Sequence, residues 1–393
     1  MESADVIVVG AGALGCNAAW HLQEAGLDVL VIDAEDGPAH QTTRAAAGFV
    51  SRWSGVHIRP WDSTHWQMEN YGIDFYTRLA GMSRRDFGFY PCGAAYIDLE
   101  EGAWHDHQSD IDRARRLGTD LEILTSERTS ELLPLLRHEN LAGVSFDPKS
   151  VRVRGLEVIA EMADQLERRG VRFVWDTRVT GIEQHDGHIA GIETDHNVYK
   201  CAHAIIAAGA WTNALLSNSG VNLPVTLQVK THYTTKPLPG VGHEMPMMLF
   251  HSPRSFYIRE ENGGLLLGGG GESSQHIDPM DPPHCHDILP DLAYQTREKL
   301  RMLESVMPVL KEADIGEIKS GLATLTEDRG FIADKIIEIE GLHVLTACQE
   351  AGVTHGPALG RLLTELITEG HSAWHIEDFR LSRFQSGQAE GCP

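Results

Sequence analysis

The residues that most clearly indicate a binding site are three glycines near the amino end and an aspartate that follows them. Gly10, Gly12 and Gly15 form a G-x-G-x-x-G turn, and Asp33 lies 18 residues after the last of them. Glycines at this spacing let the backbone approach a pyrophosphate, which then faces the N-terminus of the following helix. An acidic side chain at the end of the next strand accepts hydrogen bonds from a ribose hydroxyl. The pattern therefore predicts a dinucleotide site.

This site requires a strand, a helix and a second strand around the turn. The hydrophobic pattern predicts a buried strand at Asp5–Val9, a helix running to about Gly26 and a strand at Asp28–Ile32. These elements form a β-α-β unit, which by itself does not separate FAD from NAD. Gly268–Gly271 also follows a strand but opens no helix, so we find no second unit of this kind.

The rest of the chain is predicted to form alternating helices and strands. A largely antiparallel, β-rich region is expected from Leu223 to about Gly271. Helices are predicted at Thr64–Leu79, Ser109–Leu117, Ser126–Leu133, Gly155–Gly170, Leu292–Met307 and Pro357–Glu369, and further strands at Val171–Trp175, His188–Thr194, Ala202–Ala208 and Leu342–Ala347.

Composition excludes several classes of function. The formal net charge of −23 argues against nucleic acid as a partner, because phosphate binding needs clustered Lys and Arg. The longest apolar runs are far shorter than the roughly 20 residues of a membrane span. The chain begins without a basic leader, so a cytoplasmic location is expected. Six scattered cysteines without a Cys-x-x-Cys pair are expected to be free thiols.

Several further motifs, taken together in this order, resemble the glycine oxidase and sarcosine oxidase family of FAD-dependent amine oxidoreductases, which is related to the D-amino acid oxidases. The resemblance covers nearly the whole chain. Beyond the glycine turn, it depends on Thr43–Gly48, Arg178–Ile182, Ala207–Trp211, Ser274–Pro279, Gly321–Asp334 and Gly352–Leu363.

The resemblance implies an α/β fold in which a Rossmann-type FAD-binding domain is interrupted by a substrate domain with a large mixed or antiparallel sheet. The FAD-binding domain would comprise residues 1–80, 150–222 and 320–384, and the substrate domain residues 81–149 and 223–319, followed by a flexible tail at 385–393. The FAD-binding residues would be Gly10, Gly12, Ala13, Leu14, Gly15, Asp33, Ala34, Thr42, Thr43, Arg44, Ala47, Gly48, Val179, Ala208, Gly209, Trp211, Gly352, Val353 and Thr354.

The implied reaction is hydride transfer from the carbon beside a substrate nitrogen to flavin N5, followed by hydrolysis of the imine. Reduced flavin would pass its electrons to O2, giving hydrogen peroxide. The turn at Gly352–His355 would aim a helix N-terminus at the pyrimidine end of the flavin and so stabilise the reduced ring. The cysteine that attaches FAD covalently in sarcosine oxidases falls at Gly321, so non-covalent FAD is expected.

The groups that hold the substrate carboxylate in this family are missing. The family arginines align with Ala323 and Glu350, and a family lysine aligns with Thr354. Either other arginines, Arg52 or Arg259, hold the carboxylate, or the substrate is a larger amine whose ammonium group pairs with Glu350. We favour a combination of the two, an N-substituted glycine oxidised on its CH2 to glyoxylate and an amine, with Arg52 on the carboxylate.

Two further residues are candidates for the active site. His276 takes the place of a lysine that promotes the reaction with O2 in sarcosine oxidase, although it is as readily a loop histidine without a catalytic role. Tyr257 lies on a strand that faces the flavin in the family. The stretch His284–His286 fits no metal-ligand spacing, so no metal is predicted.

The sequence leaves three rival functions open. The protein could be a dehydrogenase that passes electrons to a quinone or carrier, a flavin-binding protein without turnover, or an NAD-dependent dehydrogenase. The side group of the substrate amine, the electron acceptor and any homo-oligomer also stay open.

Overall fold

The computed structural model of the chain describes residues 2–52, 62–251, 256–269, 277–288, 298 and 301–384. Within these ranges the α-helices are α1 (Ala13–Glu24), α2 (Ser63–Met82), α3 (Glu101–Arg116), α4 (Ser126–Leu132), α5 (Gly155–Arg168), α6 (Thr212–Ser217) and α7 (Gly352–Thr368). The strands are β1 (Ser3–Val9), β2 (Val29–Ile32), β3 (Phe49–Val50), β4 (Ala94–Asp98), β5 (Glu122–Ile123), β6 (Gly143–Asp147), β7 (Val151–Arg152), β8 (Arg172–Val174), β9 (Val179–His185), β10 (His188–Thr194), β11 (Val198–Ile206), β12 (Thr226–Thr235), β13 (Met247–Phe250), β14 (Phe256–Glu261), β15 (Gly264–Gly269), β16 (Ile315–Leu325), β17 (Ile332–Lys335) and β18 (Leu342–Thr346).

The first large sheet brings the amino-terminal strand to its centre. Its main order is β17-β18-β11-β1-β2-β8, with β10 and β9 attached beside β11. Parallel pairing sets Val9 beside both Ile32 and Ile206. The turn at Gly10 and the side chain of Asp33 therefore leave the sheet at the same edge. This is the predicted β-α-β unit, and it places the glycine turn next to the acid.

The second large sheet has the order β16-β12-β15-β14-β13-β4-β6-β5. Its pairs are antiparallel except for β13 and β4, which run parallel. The two sheets confirm the predicted α/β fold with a Rossmann-type unit and a large mixed sheet. The predicted domain limits stay a prediction; β16 belongs to the second sheet and crosses the limit placed at residue 320.

The last long helix begins earlier than expected. The prediction started it at Pro357, whereas α7 begins at Gly352. A proline inside a helix removes one backbone donor, which leaves the carbonyl four residues earlier without its partner. Here that carbonyl is Val353 O, and the buried Tyr76 hydroxyl donates to it at 2.9 Å. A side chain from α2 therefore lets the helix pass through the proline.

Other expected elements differ mainly at their ends. The helix expected at Ser109–Leu117 forms the second half of α3, which starts at Glu101. Part of the helix expected at Leu292–Met307 lies outside the described ranges, as does the tail at 385–393. Within the described ranges, no helix combines the length and the apolar character needed to cross a bilayer.

Candidate functional site

The backbone packs so closely at the glycine turn that it leaves no room for a Cβ at Gly10 or Gly15. Gly10 has a φ of +104°, and a Cβ there would lie 2.5 Å from the carbonyl oxygen of Ala207. A Cβ on Gly15 would overlap the carbonyl of Gly10. Close packing of strand and helix leaves the N-terminus of α1 at the carboxyl edge of the first sheet. Backbone N–H groups and the helix dipole at such a terminus attract phosphate.

Asp33 is locked in place at the same edge. Its Oδ2 accepts from the Ala11 N–H at 2.5 Å, and its Oδ1 accepts from the Glu35 N–H at 2.9 Å. Burial raises the pKa of the Asp33 carboxyl, partly opposed by these two backbone hydrogen bonds. Each carboxylate oxygen has a second acceptor position, so the fixed side chain can still accept from a hydroxyl group.

A cavity of about 350 Å³ opens beside Asp33. The predicted residues Ala34, Val179, Ala208 and Trp211 line it. Its walls are mainly apolar backbone and side-chain surface from the ends of the parallel strands, which is where nucleotides bind in open α/β sheets. The remaining lining residues are Val9, Gly10, Ile32, Asp33, Glu35, Gln41, Thr177, Arg178, Thr180, Ala214, Leu215, Asn218 and His284.

The loop from Thr42 to Gly48 connects this edge to the second sheet. Thr43 Oγ1 accepts from the Ala13 N–H at 3.1 Å in the first turn of α1. Thr42 Oγ1 donates to Leu322 O at 3.0 Å and accepts from Leu322 N–H at 3.2 Å on β16. Gly48 has a φ of +71°, and a Cβ there would overlap the carbonyl of Val153. The loop therefore joins the phosphate-facing helix to β16.

Two further predicted residues, Arg44 and Ala47, lie within this loop. Arg44 is half exposed and lies 3.7 Å from a carboxylate oxygen of Glu317. Ala47 offers its carbonyl to the guanidinium of Arg259, which is buried. Gly209 follows Ala208 and has a φ of +55°.

The turn that enters α7 is conformationally strained. Ala347, Gln349 and Glu350 have φ values of 53°, 48° and 68°, a region that residues with a Cβ rarely adopt. The Gln349 amide holds the turn by donating to Thr326 Oγ1 at 3.0 Å. Such backbone strain is concentrated at functional sites, because packing must over-determine it.

The first turn of α7 contains the predicted Gly352, Val353 and Thr354, all of them buried. Thr354 Oγ1 donates to Phe49 O at 2.8 Å. The side chain of Thr354 therefore holds β3 in place.

Glu350 forms an ion pair that the sequence reasoning missed. Its Oε1 lies 2.9 Å from Lys230 Nζ on β12, and the two side chains are 37% and 31% exposed. Lys230 is aligned with Gly321 of β16, the position already marked by the missing cysteine. The position of Lys230 opposite Gly321 could have indicated this ion pair. The sequence alone, however, does not show that β12 pairs with β16.

Tyr257 lies near this pair. Its ring meets Phe49 edge to face at 5.6 Å between centroids. Burial raises the pKa of Tyr257, and the Glu350 carboxylate raises it further. The hydroxyl is therefore protonated at neutral pH. Tyr257, Glu350, Lys230 and Phe49 together form what we call the cleft cluster.

Both arginines proposed as carboxylate anchors are engaged by the protein. Arg52 is buried, and its Nε lies 3.1 Å from each oxygen of Asp147, while its guanidinium packs 4.7 Å from the Trp66 ring. Arg259 donates to Glu260 O at 2.7 Å and also contacts Glu261. A substrate carboxylate would compete with these partners. Their predicted roles stay predictions.

The chain is similar to a known family of enzymes. Residues 5–366 match the model of DAO, the FAD dependent oxidoreductases. The chain belongs to this family. The predicted family and its FAD cofactor are thereby confirmed, and an NAD-dependent dehydrogenase is excluded.

Several relatives of this flavoenzyme are longer than the chain. 4-Methylaminobutanoate oxidase (formaldehyde-forming) of Paenarthrobacter nicotinovorans is 25% identical over 97% of this chain and 46% of its own length. Dimethylglycine dehydrogenase of Rattus norvegicus is 22% identical over 98% of this chain and 45% of its own. The chain spans about half the length of both relatives.

Several solved structures share the fold of this chain over nearly the whole length of both chains. L-Proline dehydrogenase from P. horikoshii has a TM-score of 0.87 at 21% identity, covering 98% of this chain and 99% of its own. Glycine oxidase from Geobacillus kaustophilus has a TM-score of 0.83 at 20% identity, with the same coverage. Iminodiacetate oxidase from Chelativorans sp. BNC1 has a TM-score of 0.80 at 23% identity, covering 96% and 98%. These likenesses show the fold.

The residues of the flavoenzyme fit the ADP half of FAD. The glycine turn leaves the backbone at the N-terminus of α1 without side chains, and a Cβ on Gly10 would clash with the carbonyl of Ala207. Asp33 would accept from the ribose and the adjacent cavity would take the adenine ring, and both roles stay predictions. His276 lies outside the described residues. In the described ranges, the stretch His284–His286 gathers no set of metal ligands.

Proposed function

We propose that this flavoenzyme oxidises an N-substituted glycine, R–NH–CH2–COO⁻. FAD, bound non-covalently, supplies the chemistry by accepting a hydride from the carbon beside nitrogen. The substrate loses that hydride and the N–H proton to give R–N=CH–COO⁻. Water then hydrolyses the imine to glyoxylate and R–NH2.

The observation that carries the proposal is the ion pair of Lys230 and Glu350. Near neutral pH an N-substituted glycine in water carries one further proton and is zwitterionic, R–NH2⁺–CH2–COO⁻, with a carboxylate one carbon away from the charged nitrogen; that proton leaves before the oxidation. Lys230 is suited to the carboxylate and Glu350 to the nitrogen, so each side chain exchanges its present partner for one end of the substrate. Half-exposed pairs contribute only about 0–1 kcal/mol, so opening this pair costs little.

The other members of the cleft cluster suit the uncharged part of the substrate. The Phe49 and Tyr257 rings offer an apolar surface, and the protonated Tyr257 hydroxyl can donate one hydrogen bond. Glu350 also supplies a carboxylate near the substrate nitrogen. There it can hold the N–H proton that leaves with the oxidation.

The substrates of two similar proteins support a secondary amine that carries a carboxylate. Iminodiacetate is itself an N-substituted glycine, and 4-methylaminobutanoate is an N-methyl amino acid. The oxidase of 4-methylaminobutanoate forms formaldehyde, so there the N-methyl carbon is oxidised. Oxidation of the carboxymethyl carbon would release glyoxylate instead.

The deciding experiment mixes the purified flavoenzyme anaerobically with candidate amines and follows loss of the flavin absorption. Iminodiacetate, N-carboxymethyl amino acids and sarcosine, which is N-methylglycine, should bleach the flavin faster than glycine, L-proline, D-alanine or 4-methylaminobutanoate. The products are then assayed for glyoxylate and for formaldehyde. Bleaching by no N-carboxymethyl amine, or formaldehyde without glyoxylate, would contradict the proposal.

We further propose O2 as the electron acceptor. Mixing the substrate-reduced enzyme with air-saturated buffer should restore the flavin spectrum within the turnover time and form hydrogen peroxide. Slow reoxidation that a quinone accelerates would indicate the rival dehydrogenase, whereas failure of every amine to bleach the flavin would indicate the rival without turnover. Acid precipitation should leave the flavin in solution, as expected for non-covalent binding.

A further inference from the structure

A second set of polar side chains lies in the other sheet, on the face covered by α3. Asp98 ends β4, and His251 directly follows β13. These strands pair in parallel, with Ile97 opposite Phe250, and the His251 N–H donates to Ile97 O at 3.0 Å. The side chains of Asp98 and His251 therefore come together on one face of the sheet.

The third side chain comes from the helix. His107 lies on the buried face of α3, whereas His105 and Asp106 on the same turn are exposed. The imidazole of His107 contacts the carboxylate of Asp98 through Nδ1 and Oδ2. Its ring centroid lies 4.7 Å from that of His251. One ligand atom from each of Asp98, His107 and His251 lies within 4.8 Å of the other two.

The electrostatics of this cluster favour a cation. Asp98 is fully buried, and its Oδ1 has no hydrogen-bond partner among the described residues. A buried carboxylate is costly unless its charge is balanced and its oxygens are satisfied. Ser145 on the neighbouring strand is also buried, and its Oγ lies 3.5 Å from His107 Nε2, so the cluster includes one further oxygen.

We propose that Asp98, His107 and His251 bind one Zn²⁺ ion. Two imidazoles and a carboxylate are zinc ligands, whereas Ca²⁺ and Mg²⁺ prefer oxygen ligands alone. Zinc bonds of about 2.0–2.1 Å in a tetrahedron set ligand atoms about 3.4 Å apart, so the three ligand atoms, which lie within 4.8 Å of one another, must rotate to converge on the ion. The ion carries no redox chemistry and would fasten α3 to the sheet.

The test loads the FAD-bound enzyme with zinc sulfate, removes free metal by gel filtration and measures zinc by mass spectrometry. The wild type should retain about one zinc per chain, since three protein ligands and one water complete a tetrahedral site. Asp98→Asn, His107→Gln and His251→Gln should lose it, while the exposed control His105→Gln should keep it. Each variant is checked for bound flavin by its visible spectrum.

Thermal unfolding of the FAD-bound protein gives a second readout. Zinc should raise the midpoint of the wild type and of His105→Gln, because an ion that binds the folded state stabilises it. The midpoint of His251→Gln should not change with zinc. If the fully buried variants fail to fold, His251→Gln, which alters a half-buried residue, still decides. No zinc in the wild type, or equal zinc in His251→Gln, would overturn the site.

Discussion

At the scale of single residues, Asp33 and Lys230 illustrate two kinds of functional side chain. The carboxylate of Asp33 is held by two backbone N–H groups before any ligand arrives. The ammonium group of Lys230 is instead held by another half-exposed side chain, Glu350, which a substrate can displace. A preorganised acceptor adds affinity for FAD because less entropy is lost on binding. An ion pair that a substrate can displace adds selectivity for substrates that carry matching charges.

Replacing Asp33 should weaken FAD binding. Asp33→Ala removes the charged acceptor of the ribose, which costs about 1.5–3 kcal/mol of binding, or roughly 10- to 150-fold in Kd. Quenching of flavin fluorescence during titration of the apoprotein measures the change. The control is Asp36→Ala, an exposed acid that pairs with His40. Equal affinities in the two variants would remove Asp33 from the cofactor site.

Replacing Lys230 should affect substrate binding more than chemistry. Lys230→Met keeps much of the side-chain volume but removes the charge, so KM for an N-carboxymethyl amine should rise about 10-fold or more, given that charged hydrogen bonds contribute about 1.5–3 kcal/mol. The value of kcat should fall much less. Lys236→Met, which alters an exposed lysine paired with Asp314 just beyond β12, is the control. An unchanged KM would argue against the cleft cluster as the carboxylate site.

At the scale of secondary structure elements, the site depends on how closely α7 lies against α1. A Cβ on Gly360 would lie 2.6 Å from the backbone carbonyl of Asn17, and a Cβ on Gly356 would lie 2.8 Å from the Asn17 side chain. The two helices cross with backbone almost in contact, so their N-termini are positioned together. One begins at the glycine turn, and the other follows the strained turn of Glu350.

Adding one methyl group at this crossing should destabilise the fold. In Gly360→Ala the new Cβ meets backbone atoms that cannot move aside, so unfolding should require about 1–3 kcal/mol less, as in other overpacked cores. Gly81→Ala is the matched control, since Gly81 lies in α2 with open space around it. That change should be neutral or stabilising by up to about 1 kcal/mol. Urea unfolding of both variants measures the difference, and similar midpoints would contradict the packing argument.

At the scale of the whole molecule, buried histidines tie stability to pH. Burial lowers the pKa of His232 on β12 to about 3, with nearby Arg259 and Lys319 acting in the same direction. Burial likewise lowers the pKa of His343 on β18 to about 3. Both imidazoles are therefore neutral in the folded protein throughout the physiological range, while the unfolded chain protonates them near pH 6.5.

Stability should therefore fall as the pH decreases below about 6.5. Above that value neither state binds the proton, whereas between about pH 6.5 and 3 only the unfolded state does, so each histidine costs about 1.4 kcal/mol per pH unit. His343→Leu should reduce the slope of the unfolding free energy against pH by about this amount, while the exposed control His105→Leu leaves it unchanged. Urea unfolding at pH 7.5, 6.0 and 5.0 measures the slopes. Parallel curves for wild type and His343→Leu would contradict a neutral His343.

The cofactor half of the molecule could be predicted because its signals are local. The glycine turn, the helix after it and the acid after the next strand lie within residues 3–33, where hydrophobic period and glycine spacing specify backbone geometry. The resemblance added the fold and the FAD loops. The cytoplasmic location and the substrate roles of Arg52, Arg259, Tyr257, Glu350 and His276 stay predictions.

Contacts between distant segments were decided by the tertiary structure alone. Lys230 meets Glu350 across 120 positions, Asp98 meets His251 through a parallel strand pair, and Tyr76 lets α7 run through Pro357. Local sequence determines which conformation a segment prefers. The register between strands and the packing of helices depend on the whole core at once, so the partner of a charged side chain emerges only after the chain has folded.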